Sequence, residues 1–141
     1  MELGGHSSTM RMNPYVLGQF QPMDLARLIC ERKQPGTDPV LHEVRVYSGL
    51  PSASKDGKSY SARMKQMAGW KKQGATEIHR PVRYPHGWPD LPAQEKGIDV
   101  ALAVDFVALA IDGAYDIGVI MSSDTDITPA LEYVATKKGL P

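Results

Sequence analysis

Two aspartates separated by a single residue, Asp124 and Asp126, follow directly on an apolar run at residues 117–121. Carboxylates placed two residues apart in a loop can face one small volume, where a hard divalent cation relieves their mutual repulsion. The same side chains also suit the start of the helix that Pro129 introduces, because acidic residues are favourable at helix N-termini. The pair therefore predicts either a divalent-metal site or a helix cap.

A second acidic group lies in the apolar stretch of residues 98–111. A carboxylate on an otherwise apolar helix costs free energy unless it is paired, hydrogen-bonded or bound to metal, so each one here needs a partner. Asp99, in the first helical turn, is interpreted as a metal ligand that acts with Asp124 and Asp126. Asp105 lies some two turns further and about 120° around the helix, which favours a structural role.

The elements that position these residues alternate along the chain. Helical spacing of apolar residues predicts four helices, at residues 22–33, 58–72, 98–111 and 129–138. Alternating or β-branched apolar runs predict three strands, at residues 41–47, 76–80 and 117–121. Such alternation is typical of a parallel sheet with helices on both faces, in which ligands bind beyond the carboxyl ends of the strands. We therefore expect a three-layer α/β/α domain with a mainly parallel sheet.

Composition bounds the possible functions. The 141 residues fit one domain, predicted at 21–141 and preceded by an irregular segment at 1–20. Sixteen basic and sixteen acidic residues give no net charge, so contact with nucleic acid would need a local patch. The single cysteine, Cys30, has no intrachain partner, and no apolar stretch reaches the roughly 18 residues of a membrane span. A cytoplasmic protein without membrane contact is expected.

Basic, hydroxyl and aromatic side chains near the acidic residues are candidates for substrate contact. In the proline-rich loop at 81–92, Arg83, Tyr84 and Trp88 combine a cation with stacking surfaces suited to single-stranded RNA. The alternative is that Tyr84 and Trp88 pin this loop to the body of the domain. The predicted substrate-binding residues are Lys96, Ser122, Ser123 and Arg83.

The segment 95–134, EKGIDVALAVDFVALAIDGAYDIGVIMSSDTDITPALEYV, resembles the signature of NYN domains, a PIN-like family. In that signature, KGxDvxLxxD is followed by a strand that ends in SGDxDF. The match covers about the last third of the chain well, and VRVYSGLP at 44–51 more loosely. The resemblance implies a Rossmann-like, PIN-like fold and a Mg²⁺- or Mn²⁺-dependent ribonuclease, with Asp99, Asp124 and Asp126 as catalytic and metal-binding residues.

Three features depart from the NYN pattern. Ser123 stands where the family's loop has Gly, and Ile127 stands where it has an aromatic residue. Residues 1–20 also contain no counterpart of the family's first strand, which ends in DGxN, so a ligand would come from Glu2, Glu95, water or a second chain. Sheet edges left without that strand predict a homodimer. The alternative function is a catalytically inactive NYN-like module that binds RNA or a protein.

Overall fold

The computed structural model of the chain describes residues 21–32 and 35–137. In chain order the elements are α1 (Pro22–Glu31), β1 (Arg45–Leu50), α2 (Gly57–Lys72), β2 (Thr76–Pro81), α3 (Ile98–Ile111), a 3₁₀ helix (Thr125–Ile127) and α4 (Thr128–Lys137). The mixture of helices with a parallel sheet confirms the predicted α/β class. Within the described residues, no helix combines the length and the hydropathy needed to cross a bilayer. The predicted irregular segment at 1–20 lies outside the described residues.

Strands β1 and β2 pair in parallel, with α2 as the connection between them. Tyr47 lies opposite Ile78 in the register, and Leu50 lies opposite Pro81. Parallel neighbours require a crossover of this kind, because the chain must return to the same end of the sheet before it enters the next strand. These two strands make up the sheet in the described part of the chain.

Helices α2 and α3 lie on opposite faces of β1. Val46 packs against a buried cluster that includes Met67 and Trp70 of α2. Successive side chains of a strand point to opposite faces, so Tyr47 points the other way, where its hydroxyl reaches Asp105 of α3. This places a helix on each side of the sheet, which agrees with the three-layer prediction.

The N-terminal residues of α2 and α3 account for where these helices begin. The Asp56 side chain accepts a hydrogen bond of 3.1 Å from the backbone N–H of Ser59, as an N-cap does. Gly97 precedes α3 with φ of 74°, a left-handed conformation that glycine adopts without strain. Asp99 then falls in the first turn of α3, where a negative charge is favourable. The turn at Gly97 thus sets the position of Asp99.

Residues 117–121 were predicted to form a buried strand, and this prediction is wrong. The segment pairs with no strand among the described residues. Ile117, Val119 and Met121 are 71%, 60% and 63% exposed. At Gly118 an added Cβ would collide with the ring of Phe106. An apolar, β-branched segment has a high propensity to form a strand. It forms a buried strand only where other elements pack on both of its faces. The homodimer expected from incomplete edges stays a prediction.

Candidate functional site

A cleft of about 440 Å³ separates β1 from the segment that leads into α4, and the N-terminal part of α3 contributes to its wall. The residues that line it are Tyr47, Glu95, Ile98, Asp99, Leu102, Met121, Ser122, Ser123, Asp124 and Ile127. Asp99 and Asp124 come from different segments of the sequence, and the fold brings both to one cleft. This convergence is what a shared cation site requires.

The loop that carries Asp124 is held by its own hydrogen bonds. The backbone N–H of Asp124 donates to Ser122 Oγ at 3.1 Å, and the backbone N–H of Asp126 donates to Asp124 Oδ1 at 2.9 Å. Ile127, which is 3% exposed, anchors the loop in the core. The helix-cap prediction for Asp124 is therefore confirmed. The cap uses Oδ1, and a carboxylate has a second oxygen that can accept a further ligand.

Asp126 occupies a different position from Asp124. Its side chain is exposed and does not line the cleft, although its backbone N–H orients the Asp124 carboxylate. Across residues 21–32 and 35–137, no three His, Cys, Asp or Glu side chains are grouped so that they could hold a metal ion together. The cleft thus unites two of the three predicted aspartates, and a direct role for Asp126 stays a prediction.

Glu95 is a further carboxylate of the cleft. Its Oε1 accepts a hydrogen bond of 2.8 Å from the backbone N–H of Gly49 near the end of β1. A Cβ on Gly49 would lie 2.9 Å from Glu95 Cγ and 2.7 Å from Val82 Cγ1, closer than real Cβ atoms approach other atoms. The glycine therefore leaves the space that the Glu95 side chain occupies. This contact ties the loop before α3 to the sheet.

Asp105 has the partners that its position on an apolar helix requires. Its Oδ2 accepts hydrogen bonds from the Tyr47 hydroxyl at 2.8 Å and from Arg45 Nη1 at 3.3 Å. Burial, and then the bond to Asp105, raise the pKa of Tyr47 to about 12. The phenol consequently stays protonated near neutral pH and remains a donor. Asp105 does not line the cleft, which agrees with the structural role expected for it.

The predicted substrate-binding residues divide into two groups. Ser122 and Ser123 line the cleft beside the aspartates. Arg83 and Lys96 are exposed and lie outside the lining. Arg83 and Gln94 exchange backbone hydrogen bonds of 2.8 Å, which close the base of the proline-rich loop. The two serines are therefore placed to contact a ligand in the cleft, and the substrate-binding roles of Arg83 and Lys96 stay predictions.

Tyr84 pins the proline-rich loop to the domain, as the alternative interpretation of this loop expects of it, and Trp88 packs against Tyr84 within the loop. Their rings meet edge to face with centroids 4.8 Å apart. Lys55 Nζ lies 5.1 Å from the Tyr84 ring centroid, and the backbone N–H of Ser52 donates to the Tyr84 hydroxyl at 2.8 Å. Tyr84 is thus engaged through both its ring and its hydroxyl, which leaves little of it for stacking on a base.

Tyr47 is an aromatic residue of the cleft that the sequence did not single out. Its strand pattern indicates a half-buried position and nothing about a ligand. A usable signal is its place in the second half of a predicted strand, since ligands bind beyond the carboxyl ends of parallel strands.

Comparison with known proteins adds one finding to this geometry. The model of the family described as the NYN domain matches residues 10–140 of the chain. No curated protein and no solved structure matches the chain. The matched range includes every residue that lines the cleft.

Proposed function

This chain belongs to the NYN domain family, which is PIN-like, and from that premise we propose that it is a metal-dependent ribonuclease acting on single-stranded RNA. The observation that carries the proposal is the single cleft lined by Asp99 and Asp124. Ligands in α/β sheets bind near the carboxyl ends of the strands, and carboxylates that converge there can hold a cation. Hydrolysis of a phosphodiester needs such a cation, because negative charge develops on the phosphate during the reaction.

The donor set of the cleft fits Mg²⁺ or Mn²⁺. The carboxylates of Asp99 and Asp124, with the hydroxyls of Ser122 and Ser123, are the hard oxygen ligands that these ions prefer. Mg²⁺ commonly keeps several waters and binds through one or two protein carboxylates, so a two-aspartate site is sufficient. We assign Asp99 and Asp124 as the residues that would hold the ion, with Asp126 acting through water. When bound, the cation supplies Lewis-acid stabilisation of charge developing on the phosphate.

The approach of RNA to an acidic cleft requires positive charge nearby. The Arg80 side chain lies beside Gly97, where its Nε would be 3.5 Å from a Cβ on that glycine. It therefore lies next to Lys96 and close to the first turn of α3. A guanidinium recognises phosphate oxygens with paired hydrogen bonds, so Arg80 can hold the backbone of RNA at the edge of the cleft. Arg83 and Lys96 would bind further phosphates of the same RNA strand.

Removal of divalent cations tests the proposed reaction. We expect the protein to cleave single-stranded RNA with Mg²⁺ or Mn²⁺, to stop when EDTA is added in excess, and to recover when the cation is restored. The physical reason is that the two aspartates alone would repel the phosphate. Gel separation of labelled RNA fragments measures the result. Cleavage that is indifferent to chelation would overturn the metal-dependent mechanism.

The absence of a three-carboxylate group within the described residues favours a second candidate, a catalytically inactive NYN-like module that binds RNA or a protein. Its expected signature is different. RNA binding that persists in EDTA, without cleavage at any concentration of Mg²⁺ or Mn²⁺, would select the binding module over the nuclease. The same protein preparation serves both measurements, so the two functions are directly comparable.

The role of Asp126 can be separated from that of Asp124 by substitution. Because the Asp126 side chain lies outside the cleft lining, we expect Asp126→Asn to reduce kcat/KM for RNA cleavage by about tenfold. A loss of this size is typical of a residue that orients a metal ligand or a metal-bound water and does not bind the metal itself. A loss as large as that of Asp124→Asn would instead make Asp126 a direct ligand.

A further inference from the structure

The cleft has an apolar side as well as an acidic one. Ile98, Leu102, Met121 and Tyr47 line it together with the carboxylates. A cation and a phosphate need only the polar side chains. Apolar surface in the same cavity indicates that the ligand also carries a part with an apolar face, because binding sites combine apolar walls with a few orienting polar groups. In RNA that part is the nucleobase.

The Tyr47 ring is held in place by groups outside the cleft. Its hydroxyl donates to Asp105 at 2.8 Å, and Arg45 bonds to the same carboxylate at 3.3 Å. The hydroxyl is therefore occupied, and what the residue offers to the cleft is the surface of its ring. A ring fixed on a strand in this way loses little conformational entropy when a ligand binds, which favours a stacking contact.

We propose that the Tyr47 ring stacks on a nucleobase whose neighbouring phosphate lies at Asp99 and Asp124, so that the cleft takes one unpaired nucleotide of RNA. The position of the phosphate rests on the proposed function. The cleft of about 440 Å³ has the size of an ordinary small-ligand site, roughly 300–1,000 Å³. A base inside a duplex is stacked on both faces and cannot enter the cleft unless it is first unpaired.

Tyr84, Trp88 and Trp70 do not compete with Tyr47 for this role. Tyr47 is the aromatic residue that lines the cleft, whereas the rings of Tyr84 and Trp88 contact each other and the Tyr84 hydroxyl is bonded to Ser52. Trp70 is buried in the core at 6% exposure. The stacking surface that sequence analysis sought in the proline-rich loop is thus found on β1.

Substitutions at position 47 test the stacking contact. The probe is a single-stranded RNA with 2-aminopurine at one position and phosphorothioate linkages that slow cleavage, titrated in Mg²⁺. We expect wild-type protein to quench the fluorescence, and Tyr47→Leu to abolish the quenching and weaken binding by about five- to hundredfold. Tyr47→Phe keeps the ring, so quenching should remain and affinity should stay within about threefold. Equal quenching by the Leu variant would overturn the proposal.

A second measurement uses the wild-type protein and does not depend on how any variant folds. RNA that carries 4-thiouridine is crosslinked by ultraviolet light, and mass spectrometry locates the attached residue. Attachment at Tyr47 supports the proposal, whereas attachment confined to Tyr84 or Trp88 overturns it. A duplex of the same sequence should crosslink far less, and equal crosslinking of the duplex would also overturn it.

These readouts separate the stacking proposal from the proposed nuclease. Quenching and a Tyr47 crosslink without any cleavage would retain the stacking contact and replace the nuclease with the binding module. EDTA-sensitive cleavage with no quenching would retain the nuclease and overturn the stacking contact. A wild-type protein that binds no RNA would overturn both.

Discussion

Asp124→Asn should lower kcat/KM for RNA cleavage by about a hundredfold or more without unfolding the domain. Asparagine keeps the oxygen that accepts the Asp126 N–H, and it is as good an N-cap as aspartate, so the loop geometry is retained. What it removes is one negative charge from the cleft. The metal contribution to transition-state stabilisation is several kcal/mol, and each 1.36 kcal/mol corresponds to a factor of ten in rate. Single-turnover cleavage of labelled RNA gives the measurement.

A matched control for this substitution is Asp116→Asn. Asp116 is an exposed aspartate that lies outside the cleft lining, so the same chemical change there should leave the rate within about twofold. Thermal unfolding of both variants checks that neither change alters the fold. If Asp124→Asn cleaved RNA at the wild-type rate, or if both variants lost activity equally, the acidic cleft would not be the site of the reaction.

Trp70→Ala should lower the free energy of unfolding by about 3–5 kcal/mol, the usual cost of replacing a buried Trp with Ala. Trp70 is 6% exposed and forms a buried cluster with Met67 and Ala75, against which Val46 of β1 packs. Domains are stable by only about 5–15 kcal/mol, so this loss is a large share of the total. The urea concentration at the midpoint of unfolding, followed by circular dichroism, measures it.

Val104→Ala provides the comparison for this core substitution. Val104 is 60% exposed on α3, so truncation removes little buried surface and should change stability by less than about 0.5 kcal/mol. If the two variants unfolded at the same urea concentration, the cluster around Trp70 would not be the core that joins α2 to the sheet.

The elements with a strong local pattern were predictable from the sequence. Two segments whose structure depends on pairing, residues 41–50 and 117–121, were less predictable. The predicted helix at 98–111 agrees with α3 at both ends, because its apolar composition and the preceding Gly97 act locally. The strand predicted at 41–47 is found at Arg45–Leu50. Its register depends on hydrogen bonds to a distant segment, such as the one from Thr76 N–H to the Val44 carbonyl at 2.8 Å. Alternation of residue types carries no information about that partner.

In the cleft, the positions of residues along the backbone were predictable from the sequence, whereas the directions of their side chains were less predictable. Asp99 and Asp124 line one cleft, as their places at a helix start and after an apolar run indicated. Asp126 differs from Asp124 because the turn directs its N–H toward the Asp124 carboxylate, and its own side chain lies outside the cleft lining. Spacing of two residues does not reveal this difference. The sequence did not indicate the place of Tyr47 in the cleft, because its hydroxyl is bonded to Asp105, which lies far away in the sequence.

The close approach of Glu95 to Gly49 bears on how a saturation mutagenesis screen of this protein should be interpreted. Every replacement of Gly49 introduces an atom into space held by Glu95 and Val82, so a screen for activity would score the position as intolerant. Such a profile resembles that of a residue that takes part in the reaction, although Gly49 contributes only its lack of a side chain and one backbone N–H. Intolerance at position 49 would therefore mean that a side chain there displaces Glu95, and not that Gly49 takes part in the reaction.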